Sequence, residues 1–335
     1  MGAAIIVGTA VALLLPAAPA APAPVTVCTI KDDRLDELSG LAATPDGYVA
    51  VNDGSDHPSH RRIFFLDSRC AVQRTVKFPD EPTDTEDLAV APDGTVWIGD
   101  IGDNGSARKS IGLWKLAPGA LKPVSCKLSY PNGAHNAETL VLDGDGTPIV
   151  ITKEPFAGDL YVPDGELCTG KSTPLRAAGS VRVPVTTTPN PYDLAGHLVL
   201  TGGTNSPDGT KVALRTYADA FEFPVVDGDV IGALTSGSPA SVALPDEPQG
   251  EAVAYARDGS SLLTASEGTK PALLRYPSAL RTTPPPPPSS PPPSSAAAVA
   301  PRAAEENGTR GFFVVAVAAL LVAALAGGIA IARRR

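Results

Sequence analysis

Between Val25 and Pro277 the chain alternates short apolar runs with clusters of Gly, Pro, Asp and Ser, and the runs recur in a fixed order. A phrase ending in Asp-Gly opens each unit: LAATPDG (41–47), LAVAPDG (88–94), LVLDGDG (140–146), GTNSPDG (203–209) and VAYARDG (253–259). Apolar residues stand on both sides of each Asp-Gly, which is the pattern of two strands joined by a tight turn. Self-similarity at a period of about fifty residues marks stacked or radially repeated modules.

Further strands follow each hairpin. The first unit reads SGLAAT, YVAVND, RIFFLD and AVQRTVKF, and the second reads EDLAVA, TVWIGD, SIGLWKL and VSCKLSY. The third contains ETLVLD, PIVITK and DLYV, the fourth LVLTGG, KVALRTY and AFEFPV, and the fifth EAVAYA, SLLTAS and ALLRYP. No run shows the 3.6-residue apolar period of a helical solenoid. Four-stranded sheets repeated around a channel are the blades of a β-propeller, which removes open edges by radial closure. The expected fold class is therefore all-β, a propeller of five blades. Six is the alternative if the stretch 173–197, with its run SVRVPV, holds another blade. The fifth unit lacks a fourth strand, and VTVCTI (25–30) at the N-terminus is a spare one that would close the ring.

The ends predict an export and anchoring device around the propeller of residues 25–281. Residues 1–20 are apolar and finish on Ala18-Pro19-Ala20, the small-x-small pattern of a signal peptide. Residues 282–310 include PPPPPSSPPPSS and an Ala-rich stretch, a semi-rigid polyproline II stalk. Residues 312–332 form an uncharged apolar run, long enough for a transmembrane helix, and Arg333, Arg334 and Arg335 follow as a cytoplasmic tail. The expected location is the cell membrane, single-pass, with the propeller on the extracytoplasmic side.

Charge and cysteine usage narrow the partners. The formal net charge is −9, and three of the basic residues belong to the terminal Arg tail, so the remainder is more acidic still. That excludes a nucleic-acid role, which needs a basic face. Cys28 and Cys70 are separated by the same interval as Cys126 and Cys168, and each pair brackets an Asp-Gly hairpin in the same way. Repeat symmetry thus favours the disulfides Cys28–Cys70 and Cys126–Cys168 in an exported chain.

Candidate chemistry comes from where the copies diverge. The Asp-Gly turn lies at one end of each inner hairpin, so residues entering its first strand and leaving its second meet at the other end, beside the channel. The entering column holds Ser39, Glu86, Glu138, Thr201 and Glu251. The leaving column holds Asp53, Asp100, Lys153, Arg215 or Thr216, and Ser266. Units one and two also share Asp53-x-x-Asp56 with Arg61 and Asp100-x-x-Asp103 with Arg108. Converging oxygen ligands of this kind suit Ca²⁺, so Glu86, Glu138, Glu251, Asp53, Asp56, Asp100 and Asp103 are the candidate metal ligands. Lys153, Arg108, Arg215 and Ser266 are the candidate ligand-binding residues. A structural role for these Asp and Arg residues, capping loops and bridging blades, is the alternative.

The phrases ELSGLA, EDLAVAPDGTVWIGDIGDN and QGEAVAY resemble exported bacterial propellers of the phytase-like and gluconolactonase-like group. The resemblance implies bound calcium and, in some members, hydrolysis of phosphate esters or lactones at the channel mouth. Carried over, it gives Glu86, Glu138, Asp100 and Asp103 metal-ligand roles and sets Lys153, Arg108 and Arg215 toward an anion.

Three further patterns carry less. Gly165 to Ser172 spells a P-loop, but Pro174 and a strand-like run follow where a helix is needed, so no nucleotide is expected. Asp143 to Glu154 imitates an EF-hand loop with Pro148 where glycine is required. His57 and His60 share the Asp53–Arg61 loop and, without a third ligand in sequence, read as exposed loop residues. The expected function is cation binding together with an extracellular ligand or protein. A metal-dependent hydrolase and a site-free envelope module are the alternatives.

Overall fold

The computed structural model describes residues 23–245 and 247–280. The expected signal peptide, stalk, transmembrane helix and Arg tail lie outside these residues. Among the described residues no helix is long and apolar enough to cross a membrane.

The chain begins with β1 (Val25–Thr29) and then lays down four-stranded antiparallel meanders in sequence. Blade one is β2 (Leu38–Thr44), β3 (Gly47–Asn52), β4 (Arg62–Asp67) and β5 (Val72–Lys77). Blade two is β6 (Thr85–Val90), β7 (Val96–Asp100), β8 (Ile111–Leu116) and β9 (Val124–Ser129). Blade three is β10 (Ala137–Leu142), β11 (Pro148–Thr152), β12 (Gly158–Pro163) and β13 (Thr173–Val181). Blade four is β14 (Gly202–Asn205), β15 (Lys211–Arg215), β16 (Asp219–Pro224) and β17 (Ala240–Ala243), with helix α1 (Val230–Ser236) before its last strand. Blade five is β18 (Gly250–Tyr255), β19 (Ser261–Ser266) and β20 (Ala272–Pro277), completed by β1 antiparallel to β20. The inner strands β2, β6, β10, β14 and β18 touch in that order, and β18 touches β2 again. The result is a closed β-propeller.

Period-two alternation builds the core. In β11, Ile149 and Ile151 face blade four while Val150 faces blade two. In β3, Val49 and Val51 pack on blade two while Tyr48 and Ala50 pack on blade five. The described apolar core accordingly falls into clusters each lying between two neighbouring blades, all the way round. Both faces of the central strands are covered, which is why runs such as PIVIT are apolar at every position. A slip of one residue would exchange the two faces of a blade.

The Asp-Gly phrases are hairpin turns. Gly94, Gly146, Gly209 and Gly259 all have φ between 65° and 84°, a region that favours glycine. In units two to five the preceding Asp accepts the N–H of the residue two further on, as Asp93 does from Thr95 at 2.9 Å. These donors hold the Asp93 and Asp258 carboxyls below their ordinary range.

Both expected disulfides are present, Cys28–Cys70 and Cys126–Cys168, and they do equivalent work. Each ties the outermost strand of one blade to the turn between the third and fourth strands of the next. Cys126–Cys168 ties blade two to blade three, where β9 and β13 also pair in parallel through Thr173 and Leu128 and merge two blades into one eight-stranded sheet. Cys28–Cys70 clasps the closing strand to blade one.

Several details differ from the sequence reading. The stretch 173–197 forms no sixth blade: Thr173–Val181 completes blade three, and the rest is an irregular connection ending in a 3₁₀ turn at Ala195–His197. The run LVL (198–200) precedes β14 rather than forming it. Helix α1 was not expected; Asp229 caps it by accepting from Gly232 N at 2.7 Å.

Candidate functional site

In four of the five blades the first strand carries a β-bulge near its start. The pairing register shifts between Leu38 and Gly40, Thr85 and Asp87, Ala137 and Thr139, and Gly250 and Ala252. The bulged residues are therefore Ser39, Glu86, Glu138 and Glu251, the column singled out by sequence. A bulge inserts an extra residue and re-aims its side chain. β14 has no such shift, and Thr201 sits just before it, donating its hydroxyl to Gly250 O.

A second repeated contact joins the loops at this end. Asp53 N donates to Glu37 O, Gly102 N to Asp84 O, Lys153 N to Asn136 O, and Glu267 N to Gln249 O. Glu37, Asp84, Asn136 and Gln249 each stand two residues before a bulged residue, so they form a third column at the mouth. Sequence reasoning missed it. The signal was available as the same offset from each Ser or Glu, but the residue types differ in every copy.

The three columns produce an acidic cluster. Carboxylate oxygens of Asp53, Glu86 and Glu251 lie within 4.8 Å of one another. Glu86 and Glu251 are 1% and 3% exposed, and Glu86 Oε1 and Glu251 Oε2 have no hydrogen-bond donor. Asp84 sits beside them because Gly54 and Gly102 leave it room: a Cβ on Gly54 would collide with its carboxylate, and one on Gly102 with both Asp84 and Glu86. Burial, reinforced by neighbouring carboxylates, pushes Asp53 up to about 8 and Glu267 up to about 9. Burial likewise raises Asp84 and drives Glu86 well above the usual carboxylate range. Glu138 reaches only about 7, since burial raises it and the Lys153 ammonium pulls it back.

One side of the cluster is basic and phenolic. Lys153 Nζ donates to Glu138 Oε1 at 2.5 Å and to Tyr217 OH at 3.0 Å, and Tyr217 OH donates to Glu251 Oε1 at 3.2 Å. Tyr217 stacks against Tyr192 with ring centroids 4.4 Å apart. On the other side a polar cavity of about 360 Å³ is lined by Glu37, Asp56, His57, Arg61 and Asp84 among others.

The remaining expected residues are placed differently. Asp100 accepts from Thr83 N and Asp84 N and pairs with Arg108 at 2.9 Å, so it holds the loop that carries Asp84. Asp103 caps its own loop, accepting from Ala107 N and Arg108 N. Arg61 does not repeat the Arg108 contact; it pairs with Glu81, while Asp56 is exposed at the cavity rim. Arg215, expected to face an anion, is instead fully buried, paired with Glu247 at 2.9 Å and donating to Ala252 O at 3.0 Å. In blade five it is Glu267, one residue beyond Ser266, whose carboxyl meets Glu251. Asp87, also unforeseen, is buried at the ring's centre, where it accepts from Leu88, Leu140 and Gly203 N–H groups and stitches three inner strands together. The P-loop-like segment 165–172 is the turn between β12 and β13, held by Cys168 and followed by a strand. The EF-hand-like segment is the hairpin between β10 and β11.

No protein-family model matches the chain, and no curated protein matches its sequence. Among solved structures it is similar to a glutaminyl cyclase of Myxococcus xanthus, at 10% identity over 76% of this chain and 95% of that one, with a TM-score of 0.47. It is similar to the PQQ-bound aldose sugar dehydrogenase of Streptomyces coelicolor at 12% identity over 78% and 99%, with a TM-score of 0.40. A putative gluconolactonase shares 15% identity over 72% of this chain and 74% of its own, again at 0.40. Likenesses this distant assign no activity, and the propeller rests on its own strand order and closed inner ring.

Proposed function

We propose that the mouth of this propeller binds Ca²⁺ on Asp53, Glu86 and Glu251, with Asp84 and Glu138 beside it, and presents the ion to an extracellular ligand. The supporting observation is that two buried carboxylates and the half-buried Asp53 bring oxygens within 4.8 Å of one another, while Glu86 and Glu251 each keep one oxygen without a hydrogen-bond partner. An all-carboxylate donor set suits a hard cation, and calcium accepts several carboxylates in flexible geometry, whereas Mg²⁺ demands a near-ideal octahedron and keeps much of its water. Repulsion among buried carboxylates gives the cation its advantage, since binding replaces like-charge contacts with attraction. The ligand would approach through the polar cavity and over Tyr192. The domain would stand outside the cell on the stalk, behind a cleaved signal peptide and ahead of the membrane helix at 312–332.

The chain Lys153–Tyr217–Glu251 favours a second reading, a calcium-dependent hydrolase of phosphate esters or lactones. An ammonium beside a bound cation would stabilise negative charge developing on a substrate oxygen. Calorimetric titration of the full chain in detergent tests the first reading: stoichiometric calcium binding with much weaker magnesium binding is expected, and no saturable calcium binding would overturn it. Calcium-dependent turnover of aryl phosphates or lactones would establish the second.

A further inference from the structure

We propose a second metal site on blade one, formed by His60, Asp36 and Glu37 and suited to a transition ion such as Zn²⁺. The sequence offered only two histidines in one loop; the fold supplies the missing donors. Asp36 and Glu37 immediately precede β2, and the loop between β3 and β4 brings His60 against them. One ligand atom from each residue lies within 4.8 Å of the others. His60 Nδ1 approaches Asp36 Oδ1 to 2.9 Å, yet the two atoms are buried and form no aligned hydrogen bond.

The backbone on both sides is fixed. Asp36 O accepts from Gly268 N, Glu37 O accepts from Asp53 N at 2.8 Å, and His60 N donates to His57 O at 2.9 Å. Adjacent donors around a tetrahedral zinc, at bond lengths of 2.0–2.2 Å, stand roughly 3.3 Å apart. The His60–Asp36 pair, at 2.9 Å, need only open slightly to reach that spacing, and Glu37, within 4.8 Å of both, closes in by rotating its side chain. His57 offers a fourth donor, its ring centroid 5.1 Å from that of His60. All three ligands are half-buried, and the polar cavity reaches both Glu37 and His57, so an ion has a way in.

The donor chemistry separates this site from the calcium cluster. Imidazole nitrogen with carboxylate oxygen suits Zn²⁺ and its neighbours, whereas an all-carboxylate set suits hard cations. All four cysteines are in disulfides, so no thiolate competes.

Cobalt substitution tests the proposal on the full chain, purified without a histidine tag and saturated with calcium. One equivalent of Co²⁺ should produce a visible ligand-field absorption that Zn²⁺ displaces. His60→Gln and Asp36→Asn should lower the cobalt affinity by tenfold or more, while Glu154→Gln, at the separate pair with His135, leaves it unchanged. Should His60→Gln unfold the chain, Glu37→Gln carries the same test from a half-exposed position. No saturable absorption in the unaltered chain, unchanged affinity in the His60, Asp36 and Glu37 variants, or loss in Glu154→Gln would each overturn the site. Because calcium is present throughout, failure here leaves the calcium reading standing, and the reverse also holds.

Discussion

Replacing Glu86 with Gln should stabilise the protein without calcium and remove most of its stabilisation by calcium. Glu86 is 1% exposed, has an oxygen without a donor, and faces Asp53, Asp84 and Glu251. In chelator it either stays charged against those neighbours or takes up a proton that the unfolded chain would release. Both cost stability, at about 1.4 kcal/mol per pH unit of displacement. Gln keeps the shape and removes the charge, so a gain of about 1–3 kcal/mol is expected on relief of part of that cost. For a domain of this size each kcal/mol moves the melting temperature by about 2–4 °C, so the chelated variant should melt several degrees higher. Calcium at one hundred times its dissociation constant should add about 2.7 kcal/mol to the unaltered chain, a rise of about 5–10 °C, and almost nothing to the variant. Thermal melts of both chains, in chelator and in excess calcium, should therefore show the variant's advantage shrink or reverse when calcium is added. A variant that melts lower in chelator would show Glu86 to be an ordinary structural residue. A variant that keeps the full calcium response would remove Glu86 from the site.

The same cluster sets a pH dependence. Since Glu138, Asp53 and Glu267 are raised to about 7, 8 and 9, the folded state holds protons that the unfolded state has released. Stability in chelator should then fall as pH rises from about 4 through 9, and saturating calcium should flatten the slope; a chelated chain that grows more stable across that range would contradict the shifts. Each disulfide closes a loop of sequence separation 42, so chain entropy assigns about 4 kcal/mol to each. Replacing Cys28 and Cys70 with Ser should nonetheless cost more than replacing Cys126 and Cys168, because only the first pair holds the closing strand; equal denaturation midpoints would refute that. Gly102→Ala should abolish the calcium-induced rise in melting temperature with the circular dichroism spectrum unchanged, since its methyl would enter the space of Glu86 and Asp84; a retained rise would place those carboxylates elsewhere.

The propeller was legible because two signals agreed. Short apolar runs such as PIVIT, bounded by turn residues, and the Asp-Gly turns at a spacing of about fifty residues are both enforced locally, by burial of both strand faces and by the positive φ of Gly94 and its equivalents. Equal cysteine spacing gave the disulfides because repeat geometry places equivalent residues at equivalent points. The entering column of the mouth was legible for the same reason. What the copies do not share was harder to see. Arg215 occupies a column in which Asp53 and Lys153 reach the mouth, but Glu247 comes from outside the repeated hairpin and pairs with it in the interior, a partnership no local pattern records. Asp84 was missed because its column carries a different residue type in every copy, and Glu267 because the repeat aligned the preceding Ser266 with the leaving column. Helix α1 hid in a connection whose only sign was the Asp229 cap.

The ring's chemistry and its closure meet at one seam. Glu251 belongs to blade five and Asp53 to blade one, so their mutual repulsion acts across the junction where the propeller's first and last strands come together. That junction alone depends on a strand contributed from the far end of the sequence, β1 against β20. Elsewhere, neighbouring blades are joined by continuous chain, and a carboxylate pair could not separate them. Cys28–Cys70 lies at this seam, tying the closing strand to blade one. Both cysteines stand on the N-terminal side of the β1–β20 pairing, so the disulfide does not close the ring covalently; it fixes β1 against blade one and presents a preformed edge on which blade five docks, bringing Glu251 to Asp53. Reducing the disulfides should therefore weaken calcium binding as well as the fold, and calcium should slow the reduction of Cys28–Cys70 more than that of Cys126–Cys168.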